Sequence, residues 1–177
     1  MFSCDALDDA TTVTVDLDPI SIDLGAEVKS AVAASSRALS ATGNYFEGNA
    51  SINPAEILKG TEYAGLSDKV KSFKAEVAKI DCSSLAGYNI GDVVITASVG
   101  GNQIASHQID SFEFDGTAPY QNAGLTAMVN TVMTSVVTGS TVVMAIEGYT
   151  DAPQGTDADF VLKIEEAAIK AGLINKK

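Results

Sequence analysis

The chain has 177 residues, of which 46% are hydrophobic and 19% charged, with a formal net charge of −12. That is enough apolar chain for one globular domain with its own core, and too much for a disordered chain. No run approaches the roughly 20 apolar residues of a membrane-spanning helix, and an acidic chain whose single arginine is Arg37 has no basic face for phosphates, which argues against nucleic acid as a partner.

Residues 1–10 carry Asp5, Asp8 and Asp9 without periodicity and read as a tether. Residues 11–177 read as a single domain. In the first run, Val13, Val15 and Leu17 alternate with polar residues, the period of a strand. Pro19 then shifts the parity onto Ile20, Ile22 and Leu24, which predicts an edge strand or a bulge. Residues 26–41 are alanine-rich and read as a helix, with strand as the alternative. Tyr45 to Ile52 reads as a strand stopped by Asn53-Pro54, which starts a helical turn through Leu58. Residues 66–72 read as a short helix with Ser67 as its N-cap.

Phe73 to Cys82 reads as a strand. The alternation through Val93, Ile95, Ala97 and Val99, followed by Gly100-Gly101-Asn102, predicts a hairpin whose second strand is 103–114. Residues 122–137 carry Leu125, Met128, Val129, Val132 and Val136 at helical spacing, a stripe that should pack on a sheet and leave Thr126, Asn130 and Thr134 facing outward or toward the helix's polar side. Strands at 141–149 and 159–169 complete the chain. About seven strands in period-two patterns, set against one long helix, predict a mainly β fold. The fold class is an antiparallel β-sandwich, Ig-like or related, with short helical turns besides the helix at about 122–137.

Chemistry-bearing residues are sparse. Nucleophilic catalysis of the Ser–His–Asp kind needs a histidine base, and His107, the single histidine, falls on the phase of Ile109 as a half-buried strand residue. There is no GxSxG elbow and no phosphate-binding glycine loop. The adjacent pairs Glu165-Glu166 and Asp8-Asp9 point to opposite faces of an extended chain and do not converge. These features predict no enzyme and no required cofactor. One loop has ligand character: Asp151, Asp157 and Asp159 around Gly155 are calcium candidates by oxygen chemistry, at a spacing unlike an EF-hand. Asn49-Ala50-Ser51 is an N-x-S sequon. Cys82 should be buried and chemically quiet, because no basic neighbour lowers its pKa.

Met1-Phe2-Ser3-Cys4-Asp5 resembles the end of a bacterial lipobox, in which a small residue precedes the cysteine that is lipidated. Met1 stands where leucine is usual. Asn53-Pro54, Leu66 to Ser72 and Val93 to Phe112 lie within 44–114, a stretch similar in layout to uncharacterised exported lipoproteins of Bacteroidetes. The resemblance implies an exported all-β domain held at the outer membrane or cell surface by lipid on Cys4. It implies a non-catalytic structural or protein-interaction module whose partners are envelope or surface proteins. The alternative is an adhesin or pilin-like subunit that self-assembles by strand exchange through residues 11–24.

Overall fold

A computed structural model describes residues 12–30, 43–57, 69–110 and 114–172. Two antiparallel sheets enclose one hydrophobic core that runs from Val15 to Ile169. The fold is a β-sandwich, as the strand periodicities predict.

The four-stranded sheet contains β1 (Thr12–Leu17), β2 (Ile20–Asp23), β5 (Val70–Asp81) and β10 (Val161–Gly172). β10 is its centre. β5 pairs along one edge of it, while β1 and β2 follow one another along the other. The six-stranded sheet has the order β7-β6-β8-β4-β3-β9. Its strands are β3 (Ala26–Lys29), β4 (Asn44–Ile52), β6 (Ile90–Val99), β7 (Asn102–Ile109), β8 (Val142–Thr150) and β9 (Asp157–Ala158). The β6–β7 hairpin turns at Gly100 and Gly101, both with positive φ, as a type I′ turn requires.

The parity shift at Pro19 has a cause that lies outside its own strand. Leu17 pairs with Ala167 and Ile20 with Ile164 in one unbroken register, so no residue is inserted. Instead all three strand lines change phase at the same level. The inward residues are Val15 and Leu17, then Ile20 and Ile22, along the edge. They are Leu162 and Ile164, then Ala167 and Ile169, in β10, and Phe73 and Ala75, then Ala78 and Ile80, in β5. Glu166 marks the line with a φ of 52°, in the left-handed region that few non-glycine residues adopt. The proline therefore sits at an edge, as expected, but it belongs to a turn of the whole sheet and not to a bulge. Because β1 and β2 are taken up by β10 of their own chain, the motive for strand exchange through residues 11–24 is gone.

Two helical expectations are corrected. Residues 26–29 form β3, whose neighbours are β4 and β9; the rest of 26–41, apart from Ser30, lies outside the described residues. Val70 to Ser72 extend β5, because β10 offers partners as far as Ala171; Ser67 lies outside the described residues. In both places a cross-strand ladder outweighs a weak local propensity. The Asn53-Pro54 turn forms a one-turn helix, α1 (Pro54–Ile57).

The helix α2 (Ala123–Val137) starts at Asn122, whose side chain accepts from the Leu125 N–H at 2.7 Å, a satisfied N-cap. Its stripe of Leu125, Met128, Val129, Val132 and Val136 is buried, joined by Met133 and Val137. The polar side departs from expectation. Thr134 is exposed, but Thr126 and Asn130 turn toward the edge of β5 and bond its backbone. The exposed hydroxyls fold back on the helix: Thr131 donates to Ala127 O at 3.2 Å and Thr134 to Asn130 O at 2.7 Å.

Candidate binding face on the six-stranded sheet

Residues directly opposite one another on adjacent strands share a face. In the six-stranded sheet Glu147 is opposite Glu47, Glu47 opposite Glu27, and Glu27 opposite Asp157. Four carboxylates thus form a row across β8, β4, β3 and β9, on the face turned away from the core. One step along the strands, Lys29, Tyr45 and Tyr149 form the next row; on the other side lie Asn49, Ala145 and Thr96. Six of these residues, Glu27, Lys29, Glu47, Asn49, Thr96 and Glu147, line an open cleft of about 470 Å³. Below it, Gly48 lets the Leu24–Gly25 backbone approach closely; an added Cβ would collide with both of their carbonyl oxygens.

Lys29 Nζ lies 2.7 Å from Glu47 Oε1. That hydrogen bond, reinforced by the attraction of opposite charges, holds the Glu47 carboxyl below its ordinary pKa and the Lys29 ammonium above its own. The Tyr45 hydroxyl lies 3.3 Å from Glu47 and 3.2 Å from Glu147, and its one proton serves one of them at a time. Burial, with the two carboxylates adding to it, pushes the phenol well above its usual range, so Tyr45 acts as a donor. The rings of Tyr45 and Tyr149 meet edge to face at 5.8 Å. The arrangement is rich in acceptors and suits a ligand that brings positive charge and N–H donors.

The three calcium candidates separate. Asp151 closes a loop, accepting from the Asn89 N–H at 2.8 Å and from its side-chain amide at 2.5 Å. Asp157 is the end of the carboxylate row. Asp159 sits beside Ser84, whose hydroxyl accepts from its backbone N–H at 2.9 Å. Among the described residues no group of three or more acidic, histidine or cysteine side chains is gathered around one point. Cys4, the expected lipidation site, lies outside the described residues. Asn49 of the sequon is exposed on β4 at the cleft.

His107 is half-buried, with Nε2 3.3 Å from the Tyr120 hydroxyl; that hydroxyl also accepts from the Asn122 side-chain amide. The trio ties β7 to the start of α2. Cys82 is fully buried, and burial raises its thiol pKa to about 11.

Sequence reasoning missed the carboxylate row. Its members are spread from Glu27 to Asp157, and only the strand order brings them together. The sequence did mark the stretches that became β4 and β8 as strands, and in a strand alternate residues such as Glu47 and Asn49, or Glu147 and Tyr149, share a face. No protein-family model and no curated protein matches the chain. Among solved structures, a chain from Desmodium yellow mottle tymovirus is similar to 94% of this chain over 85% of its own length, with 10% identity and a TM-score of 0.39. A likeness at that level carries no functional argument.

Proposed function

We propose that the chain is a non-catalytic protein-interaction module of the cell envelope, and that it docks a basic segment of a partner on the outer face of the six-stranded sheet. The observation that carries the reading is the row Glu147–Glu47–Glu27–Asp157. Like charges directly opposite one another cost stability in a sheet. A fold that needed this face only for solubility would gain by mixing the signs, so the row is better explained by a partner that supplies the missing charge. Lys29 already shows how a cation seats there, bonded to one carboxylate and flanked by the phenol of Tyr45. Placement at the envelope rests on Ser3-Cys4 and the acidic tether, with lipid on Cys4 as the anchor.

The test is a titration with an oligolysine peptide at low salt, followed by backbone amide shifts. Shifts should concentrate on Glu27, Glu47, Asn49 and Glu147. They should fade with added salt, and in the double variant Glu47→Gln/Glu147→Gln, while that variant keeps its fold. Shifts spread evenly over every surface acid would reject this face as the docking site.

A further inference from the structure

Among the described residues, every lysine except Lys29 lies in β5 or β10 or directly before β5. Lys29 is thus the one lysine of these residues on the six-stranded sheet. It ends β3 opposite Tyr45, one step along the strands from the carboxylate row. Its ammonium reaches back into that row, to Glu47 Oε1 at 2.7 Å. Glu27, two residues earlier on the same face of β3, adds a second attraction. Glu47 is an inner position of the row, with Glu147 opposite it on β8 and Glu27 opposite it on β3. The chain therefore places its own cation where a partner's cation would meet a carboxylate on either side. The two side chains are 43% and 52% exposed. An ion pair so open to water shifts an equilibrium by roughly 1.5- to 5-fold, so the contact opens readily and still competes. Tyr45 eases the opening, because its hydroxyl lies 3.3 Å from Glu47 and Glu47 keeps a hydrogen-bond donor while the ammonium changes.

We infer that Lys29 is a built-in competitor for the docking face: its ammonium holds Glu47 until a partner's cation displaces it, and it thereby selects segments that carry several cations. The inference rests on the docking reading above. Exchanging one ammonium for another on Glu47 leaves the charge of the row unchanged. A lone cation from solution also competes with one that is tethered, and a short tether sets an effective concentration on the order of millimolar. A single lysine therefore gains little by docking here. A segment with several cations engages Glu27, Glu147 or Asp157 in the same event, and those contacts outweigh the loss of the Lys29–Glu47 pair. The contact acts as a threshold on the number of charges a partner brings.

The test compares oligolysine affinities at low salt, read from the amide shifts of Glu27, Glu47, Asn49 and Glu147. Lys29→Gln should bind about two- to fivefold more tightly than Lys170→Gln. The second variant removes an exposed lysine from the other sheet and so matches the change in net charge. Lys29→Arg, which keeps a cation at the position, should bind no more tightly than the parent. In a Glu47→Gln background the advantage of Lys29→Gln over Lys170→Gln should shrink below about twofold, because the competitor has lost its seat. A general effect of local charge would persist there. If oligolysine moves none of the four amides in the parent or in Lys29→Gln, the docking reading falls and this inference falls with it. The reading stands and the inference alone is overturned if the parent binds on this face and any of three results follows: Lys29→Gln gains nothing over Lys170→Gln, Lys29→Arg binds more tightly than the parent, or the gain survives in the Glu47→Gln background.

Discussion

The two sides of the sandwich handle polar groups in opposite ways. On α2 the exposed helix surface carries no charge, and its polar side chains are spent on backbone: Asn130 and Thr126 on β5, Asn122 on the helix start, and the threonines on the helix itself. On the outer face of the six-stranded sheet the backbone is satisfied by the ladders, and the side chains are left to confront one another as a row of carboxylates. A buried backbone group left without a partner costs about 1–3 kcal/mol, whereas exposed like charges in a sheet cost a fraction of that. The first side therefore leaves little freedom in residue choice, and the second is free to serve a partner.

The sharpest way to break this comparison is a pair of changes on α2. Val132 is buried in the core, and Val132→Asp places a carboxylate there without a partner, at a cost of several kcal/mol. That is a large share of a domain's typical stability of roughly 5–15 kcal/mol, so the variant should be unfolded or insoluble, as soluble yield and thermal melting would show. Read from the sequence as an outward-facing residue, Asn130 should tolerate aspartate almost without effect. The structure reverses that expectation. Asn130→Asp loses the donor and turns an oxygen toward the Ala75 carbonyl, and it should cost about 1–3 kcal/mol in urea unfolding. A neutral result would show that the side chain does not cover β5.

At the end of β5, Cys82 tests how dry that side is. Burial raises its thiol pKa from the ordinary 9.0 to about 11. Iodoacetamide labelling of the native protein should stay slow at neutral pH and accelerate only as the pH approaches 11. The sign for stability follows: a raised folded pKa stabilises the fold below the ordinary thiol value, and that contribution is lost as pH rises from about 9 through 11. Fast labelling at neutral pH would mean that water reaches the thiol.

The smallest effect belongs to the open face. Glu27 stands between Glu47 and Asp157 in the row. Glu27→Lys should raise stability by roughly 0.2–1 kcal/mol, and added salt should shrink the gain. Loss of stability in the variant would show that the row is not under repulsion and would remove the main support for a cationic partner.

Much of the fold was legible in the chain because each element repeats a local signal. The two-residue period set β4, β6 and β8. Asn53-Pro54 and Gly100-Gly101 set turns through backbone geometry, and the buried stripe of α2 followed from a spacing of three and four. Local signal failed where a distant partner decided. Residues 26–29 and 70–72 became strand because β4 and β10 lie beside them, and the phase change at Pro19 is shared by three strands that no single segment contains. The candidate site shows the same division. Sequence by itself put Glu47 and Glu147 in strands, Glu27 in a segment read as helix, and Asp157 in an acidic loop. Only the tertiary structure, through the order β8-β4-β3-β9, aligned them into one row and drew Asp151 and Asp159 away from Asp157. It also turned Asn130 from a surface residue into the cap of a strand edge, because a hydrogen bond between residues 55 positions apart leaves no periodic trace in the chain.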